Sequence, residues 1–249
     1  MSRRRILTAI GAAPALALAL LLPAQSAQAT TCWYGSCFSY VAGQQEVSAT
    51  GASVTMTQAT PQVTGGHSLQ ELALRTDDRS AIVEVGWTVD PAVNGDYQPH
   101  LFVYHWVDNQ TSCYNGCGFV PASSSVRAGM TVRSGTSATF TIADYGGDWW
   151  VYYNNQAFGY FPGSLWSGRF TAAQNVSAFG EVADSGQTSC DDMGNGQYGS
   201  GSGASAISGY QVYGASAAPY LSVSATDPSR YNSGHVTATS FTLGGPGAC

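Results

Sequence analysis

Apolar and polar positions along this chain alternate in the way that is typical of β-strands. Runs rich in Val, Ile, Tyr, Phe and Trp are separated by clusters of Gly, Asn, Asp, Ser and Pro, and no helical period is sustained. The segment 162–171 is predicted to be a short helix or a long loop. Strands at a spacing of about 8–12 residues indicate a β-sandwich or a β-barrel. We predict strands at residues 69–75, 80–89, 100–107, 130–132, 137–144, 149–154, 156–160, 176–183, 206–212, 220–225 and 235–243.

The first 29 residues have the features of a secretory signal peptide. Residues 3–5 are all arginine, an apolar run follows over about 6–22, and Ala27 and Ala29 form a small-x-small cleavage site. The generic apolar run favours the general secretory route, although the arginines also fit a twin-arginine signal loosely. We therefore expect a secreted, extracellular protein. Behind the signal we expect an N-terminal arm at 30–66, with its own disulfide and a strand or two, and a single β-domain at 67–249.

The net charge of the chain without its signal peptide limits the classes of partner that we expect. Removal of the signal leaves 220 of the 249 residues, with six arginines, fifteen acidic side chains and a formal net charge of −9. This charge argues against nucleic acid and against anionic membranes as partners. No later segment approaches the roughly 20 apolar residues of a membrane span. We expect a monomer with no membrane association once the signal is removed.

The six cysteines are an even number behind an export signal, which favours disulfides. Two pairs are close in sequence, and pairing them leaves a third pair that would hold the C-terminus. No Cys/His cluster has the spacing of a closed zinc site, so we expect no metal and no cofactor. The expected disulfides are Cys32–Cys37, Cys113–Cys117 and Cys190–Cys249.

Two of the four glutamates lie where an acidic side chain is costly. Glu84 lies in the apolar run 81–87, and Glu181 lies in the apolar run 178–183. A carboxylate is rarely placed in an apolar strand unless it is paired or has a task. The other two, Glu46 and Glu71, lie in ordinary polar surroundings, and we do not count them among the site residues.

Strand alternation places Glu84 away from the core. The odd-numbered residues of 80–89 form the apolar face, so Glu84 and Gly86 share the opposite face. A glycine in mid-strand is expected where something approaches the backbone closely, and Gly180 stands beside Glu181 in the same way. We expect both glutamates on strand faces that form the floor of a groove. The alternative is a surface glutamate on the open face of an antiparallel sheet.

Two facing carboxylates can hydrolyse a bond. They cannot both ionise freely, so one holds a proton and the other does not. The ionised group takes a proton from the attacking water, and the protonated group donates to the carbonyl oxygen or to the leaving group. Such a pair titrates as a unit and favours acid pH. No Gly-x-Ser-x-Gly elbow leads from a strand into a helix, no HExxH is present and the four histidines are scattered, which disfavours triad and metal enzymes.

Ordered strings of residues between about 67 and 199 carry a resemblance. They are Glu-Val-Gly-Trp-Thr-Val from residue 84, Leu-Phe-Val-Tyr-His-Trp-Val-Asp from 101, Cys-Tyr-Asn-Gly-Cys-Gly-Phe-Val from 113, Gly-Asp-Trp-Trp-Val from 147, Gly-Tyr-Phe-Pro from 159, Gly-Glu-Val from 180 and Met-Gly-Asn-Gly from 193. Each string is weak alone, but the ordered set is specific. Together they resemble the neprosin family of secreted prolyl endopeptidases.

The resemblance implies an all-β fold, an antiparallel β-sandwich of two packed, curved sheets with an active-site groove. It implies a glutamic peptidase domain over 67–249 whose catalytic residues correspond to Glu84 and Glu181. It also implies cleavage on the C-terminal side of proline at acid pH, with proline-containing peptides or proteins as substrates. The Cys-Tyr-Asn disulfide of the family corresponds to Cys113 with Cys117.

Aromatic residues supply the remaining candidates. Tyr104, Trp106 and Tyr114 are predicted to form a wall that receives a proline ring, and the alternative is ordinary packing of aromatic side chains. Two rival functions use the same features. A glycoside hydrolase also works with two carboxylates and aromatic platforms, and a non-catalytic carbohydrate-binding module would use the aromatic residues alone.

Overall fold

A computed structural model describes residues 31–33, 35–186 and 188–249, so the signal peptide expected at 1–29 lies outside the described residues. In this part of the chain no helix is long and apolar enough to span a membrane. The two helical segments described are α1 (Pro91–Asn94) and a 3₁₀ turn at Gly163–Trp166. The strands are β1 (Thr31–Trp33), β2 (Ser36–Ala49), β3 (Gly51–Gln58), β4 (Gly66–Arg75), β5 (Ala81–Val89), β6 (His100–Val107), β7 (Gln110–Thr111), β8 (Val120–Pro121), β9 (Thr136–Tyr145), β10 (Asp148–Tyr153), β11 (Gln156–Phe161), β12 (Ala173–Asp184), β13 (Ser205–Tyr213), β14 (Ser222–Ala225), β15 (Asn232–Gly234) and β16 (Phe241–Gly244).

The strands form two antiparallel sheets packed face to face. The first sheet has the order β1-β2-β12-β4-β5-β6-β7, with β14 also paired to β2. The second sheet has the order β15-β16-β13-β3-β9-β10-β11-β8. The expected antiparallel β-sandwich is therefore confirmed. Strand β12 is inserted between β2 and β4, and this insertion brings residues near 180 beside residues near 70.

The core lies between the two sheets. On β5, Val83, Val85 and Trp87 are fully buried, as alternation predicts, and they pack in one cluster with Phe140 and Trp149 of the second sheet. Burial of each such side chain stabilises the fold by roughly 1.5–3 kcal/mol. Because this face of β5 is buried, its even-numbered residues lie on the outer face of the first sheet.

Two of the predicted strands are wrong. Segment 130–132 contributes only a single bridge, between Thr131 and His100. Segment 235–243 is extended only from Phe241 onward, because His235 has a left-handed backbone (φ 46°) and Thr237 N donates to Ser240 O at 2.8 Å, which closes a turn. The other predicted strands are present, with ends within three residues of the prediction, and 162–171 contains the short helical turn.

Residues 31–58 are part of both sheets instead of an arm beside them. Strand β2 is fourteen residues long and pairs with β12 and β14. Strand β3 pairs with β13 and β9 in the interior of the second sheet. A strand or two is expected in this segment, but its Thr-, Ser-, Ala-, Gly- and Gln-rich sequence does not indicate that the strands pair with distant strands of both sheets.

The three expected disulfides are confirmed. Cys32–Cys37 closes the β1–β2 hairpin. Cys113–Cys117 closes a short loop after β7. Cys190–Cys249 ties the last residue to the loop that follows β12.

Candidate active site

Three carboxyl groups lie on the outer face of the first sheet, on three neighbouring strands. Glu181 lies on β12, Glu71 on β4 and Glu84 on β5. In the register, Glu71 is opposite Phe179 on one side and opposite Gly86 on the other. The three glutamates therefore form a diagonal line, with Glu71 in the middle.

The two glutamates singled out in the sequence thus share one face, as expected, but they are not on adjacent strands. Glu181 is opposite Leu69 of β4, and Glu84 is opposite Ala73 of the same strand. Each is a diagonal neighbour of Glu71, and diagonal neighbours in a sheet are about 7–8 Å apart. Glu71 therefore connects the two groups across β4.

Glu71 corrects the sequence prediction. We expected ordinary polar surroundings, but the residue is only 4% exposed. Burial, followed by the negative charges of Glu84 and Glu181, raises the pKa of Glu71 well above its ordinary value. The neutral, protonated form of the Glu71 carboxyl is therefore favoured. Leu72 and Leu74 of β4 face the core, so alternation could have predicted that the Glu71 side chain points to the outer face. It could not have predicted which residues surround Glu71 there.

Glu84 is half-buried and also holds a proton readily. Trp106 donates its indole N–H to Glu84 Oε1 at 3.0 Å. Burial, and then the charge of Glu181, raises the pKa of Glu84 to about 8, although the hydrogen bond from Trp106 acts in the opposite direction. At neutral and acid pH the Glu84 carboxyl is consequently neutral and able to donate a hydrogen bond.

Glu181 has partners of a different kind. His67 Nε2 lies 2.7 Å from Glu181 Oε1. Tyr40 is opposite Glu181 on β2, and burial together with the charge and hydrogen bond of Glu181 raises the pKa of the Tyr40 hydroxyl far above its ordinary value. Two groups able to donate hydrogen bonds therefore face this carboxylate. Neither residue is predicted from the sequence, because both are far from Glu181 in the chain and lie beside it only through strand pairing.

The three predicted aromatic residues come together beside Glu84. Tyr104 is opposite Glu84 on β6, and its ring centroid lies 5.9 Å from that of Trp106 and 5.0 Å from that of Tyr114. Burial, and then the charges of Glu181 and Glu71, raises the pKa of Tyr114 well above its ordinary value. The Tyr114 hydroxyl thus belongs to the surroundings of the glutamate cluster, as well as to the aromatic group.

The two glycines beside the glutamates leave no open space. A Cβ on Gly86 would lie 2.8 Å from Glu71 Cα and 2.9 Å from Glu71 Cβ. Gly86 is therefore the point at which β4 approaches β5 closely, and Glu71 is among the residues that approach its backbone. Gly180 faces the other way, where a Cβ would meet Leu243 and Met193 of the core.

An open cleft of about 530 Å³ lies farther along β2 and β14. Gln44 and Glu46 line it, and alternation places both on the same face of β2 as Tyr40. Across the described residues, no group of three or more His, Cys, Asp or Glu side chains is arranged to hold a metal ion. The outer face therefore consists of an acidic and aromatic part and a neighbouring polar cleft.

A family model, neprosin, matches residues 62–246. The chain belongs to the neprosin family. The resemblance seen in the sequence is thereby confirmed, and strands β1–β3 lie outside the matched residues although they form part of the sandwich. The matched residues include both Glu84 and Glu181.

Three solved structures are similar to this neprosin-family chain to different degrees. Scytalido-glutamic peptidase, solved with a transition-state analogue inhibitor, has a TM-score of 0.52 at 8% identity over 83% of this chain and 96% of that chain. SCP-B, a member of the eqolisin family of peptidases in a complex with the tripeptide Ala-Ile-His, has a TM-score of 0.44 at 10% identity over 82% of this chain and 96% of that one. A carbohydrate-binding module from Bacillus subtilis has a TM-score of 0.30 at 10% identity over 60% and 79%. The first match shows that the sandwich fold is that of scytalido-glutamic peptidase.

Because the pKa of Glu84 is raised, the free energy of unfolding of the neprosin-family domain is expected to fall as pH rises. The folded state keeps the Glu84 proton up to about pH 8, whereas the unfolded chain releases it near the ordinary value of 4.5. Between those values the folded state binds more protons, so the free energy of unfolding falls as pH rises, by about 1.4 kcal/mol per pH unit at most. Glu84→Gln removes this contribution. We expect urea unfolding at pH 5 and pH 8 to show that wild type loses up to about 4 kcal/mol more than Glu84→Gln over this interval; equal losses would contradict the assignment.

Proposed function

We propose that this chain is a secreted endopeptidase of glutamic type that hydrolyses peptide bonds on the C-terminal side of proline, with Glu84 and Glu181 as its catalytic residues. The observation that carries the proposal is that the two carboxyl groups share one sheet face but have opposite surroundings. Glu84 has its pKa raised to about 8, whereas Glu181 lies 2.7 Å from His67. Acid–base hydrolysis requires one neutral carboxyl that donates a hydrogen bond and a second carboxyl that accepts a proton from water.

Two comparisons support peptidase activity of this type. The chain belongs to the neprosin family, and its fold is that of a glutamic peptidase. Fold alone does not determine chemistry, since one fold hosts many functions. The arrangement of the three glutamates adds a site that suits hydrolysis.

The surroundings of the two residues assign their roles in this proposal. Glu181 is the general base, and it takes a proton from a water molecule as the water oxygen attacks the scissile carbonyl carbon. Glu84 is the neutral group, and it donates a hydrogen bond to the carbonyl oxygen as negative charge develops there. When the carbon–nitrogen bond breaks, the proton held by Glu181 passes to the leaving nitrogen. The scissile bond then lies over Glu71, between the two reacting groups.

The aromatic group beside Glu84 is the proposed wall of the proline pocket. Tyr104, Trp106 and Tyr114 are half-buried, so each has surface that remains available to a ligand. Trp106 also donates to Glu84, which links the wall to the acid group. A proline ring packed on these faces would place the following peptide bond near Glu84.

The proposed setting is extracellular. Three disulfides are stable in an oxidising environment, and the negative net charge of the chain is unsuited to nucleic acid or anionic membranes. The proposed partners are proline-containing peptides or proteins, and the proposed state is a monomer.

A matched pair of peptides tests the proline preference. Two peptides that differ only in one internal residue, Pro or Ala, are incubated with the protein at pH 4 and the products are identified by mass spectrometry. We expect a product that ends in proline, with kcat/KM at least about tenfold above the alanine peptide, because one well-filled apolar contact contributes about 1–3 kcal/mol. Equal cleavage of the two peptides would reject the preference and leave the peptidase assignment standing.

A polysaccharide panel under the same conditions separates the rival functions. Release of sugars would support a glycoside hydrolase, and retention on a polysaccharide without turnover would support a carbohydrate-binding module. Either result, combined with no peptide cleavage between pH 3 and pH 7, would overturn the proposed function.

A further inference from the structure

His67 makes a short contact with Glu181. The two residues lie on the outer face, on the neighbouring strands β4 and β12, where His67 is opposite Ala183. His67 Nε2 and Glu181 Oε1 are 2.7 Å apart, and the side chains are only 17% and 12% exposed. A contact of this length in a shielded place fixes both side chains. The contact engages Oε1 of Glu181, and the Tyr40 hydroxyl is the second hydrogen-bond donor beside this carboxylate.

Asp90 lies on the other side of the imidazole ring. It follows the last residue of β5, and its Oδ2 is 3.9 Å from His67 Nδ1, within ion-pair distance. Its Oδ1 accepts hydrogen bonds from the backbone N–H groups of Ala92 and Val93 at 3.0 and 3.1 Å, as the N-cap of α1. Because the cap anchors Asp90 through one oxygen, the second oxygen is held toward His67.

Three acidic groups from different parts of the chain act on His67. Glu181 is supplied by β12, Asp90 by the end of β5, and Asp191 by the loop after β12. Burial by itself lowers the pKa of His67, but the hydrogen bond and charge of Glu181, with the charges of Asp90 and Asp191, outweigh it and raise that pKa. The imidazolium form is therefore favoured where Glu181 needs a positive partner.

We propose that His67 and Asp90 are positioning residues for the general base: the His67 imidazolium, oriented by Asp90, holds Glu181 as an anion with one oxygen aimed at the attacking water. The inference rests on the proposed function and deepens it, since it states why Glu181, and not Glu84, is the base. A cation in contact keeps a carboxylate charged at lower pH than it would be alone.

The first test is the pH profile of kcat/KM for a proline peptide in wild type, His67→Gln and Asp90→Asn. His67→Gln keeps an N–H donor but removes the positive charge, and Asp90→Asn keeps an oxygen for the cap. We expect the acid limb to move to higher pH by about one to three units in His67→Gln and by a smaller amount in Asp90→Asn. At a fixed pH on this limb, one unit is a tenfold loss of rate, whereas KM is expected to be unchanged.

His100→Gln is the matched control. His100 also lies on the first sheet with a largely buried side chain, but the contacts of its ring nitrogens are with Asp96 Oδ1 at 2.9 Å and with the backbone oxygen of Gly129 at 2.8 Å. We expect its acid limb to coincide with that of wild type. An unmoved acid limb in His67→Gln, or the same shift in His100→Gln, would overturn the proposal.

A second measurement does not depend on activity. The ring of His67 is titrated by NMR in wild type and in Glu181→Gln, and we expect the His67 pKa to fall in the variant, because its strongest favourable partner is lost. An unchanged titration would overturn the inference even for an active enzyme. A fall in the absence of any peptide cleavage would keep the contact and reject the proposed function, so the two failures are distinguishable.

Discussion

Glu181→Gln is expected to lower kcat/KM for peptide hydrolysis by about 10²- to 10⁴-fold, which is the usual contribution of a general base. Glutamine has almost the same shape, so the sheet and the contact region of His67 are preserved. It cannot accept a proton from water, and the attack on the carbonyl carbon loses its base. The measurement is initial-rate hydrolysis of a proline peptide from pH 3 to pH 9, with circular dichroism to show that the fold is intact.

Glu84→Gln is expected to have a smaller effect with a different pH dependence. Glutamine is neutral at every pH and still has an N–H donor, so it replaces a carboxyl whose pKa is raised to about 8. The decline of wild-type activity above about pH 8 should disappear in this variant.

Glu46→Gln is the control for both variants. Glu46 is exposed on the same sheet face, and it accepts a hydrogen bond from Asn175 Nδ2 at 2.6 Å. If Glu181→Gln retained full proteolysis, the assignment of the base would be wrong.

Gly86→Ala is expected to destabilise the domain by about 3 kcal/mol, at the upper end of ordinary overpacking. The added Cβ would lie 2.8 Å from Glu71 Cα and 2.9 Å from Glu71 Cβ, and it would also meet the backbone oxygen of Gln70. These atoms belong to the neighbouring strand and to the start of a buried side chain, so neither can move aside cheaply. For a domain of this size the loss corresponds to a decrease in Tm of about 6–12 °C.

Gly186→Ala is the control that distinguishes steric crowding at Gly86 from a general effect of replacing glycine with alanine. At Gly186 the nearest atom to a new Cβ is Thr188 N at 4.0 Å, and we expect a change in Tm of at most about 2 °C. Since Gly86→Ala displaces Glu71 from its place between Glu84 and Glu181, activity should fall together with stability. A Gly86→Ala domain with unchanged Tm and full activity would show that β4 does not pack against β5 as described.

Glu71 illustrates how a site residue can be invisible in sequence. Its neighbours in the chain are Gln70 and Leu72, and nothing in that string marks a carboxyl that will be buried. Its pKa is raised by burial and then by the charges of Glu84 and Glu181, and strand pairing creates these surroundings. His67 was missed for the same reason, because its partner Glu181 is 114 residues away in the chain.

Residues close together in the sequence determined the strand faces, most strand ends and the disulfide pairs of this protein. Alternation placed Glu84 opposite the buried Val83, Val85 and Trp87 face, because side chains in a strand point to alternate sides whatever its neighbours are. The ends of most strands followed from turn-forming clusters, and cysteine spacing selected the three disulfides. These features depend on residues close in sequence or on simple pairing.

Only the tertiary structure decided the order and register of the strands. Inserting β12 between β2 and β4 brought Glu181 beside Glu71 and His67, and the pairing of β4 with β5 set Glu71 against Gly86. A shift of one residue in either register would have turned the carboxyl to the opposite face. Register between distant strands depends on packing of the whole core, which no local pattern encodes. The sequence therefore predicted the two glutamates, whereas the tertiary structure determined that His67 lies beside Glu181 and Trp106 beside Glu84.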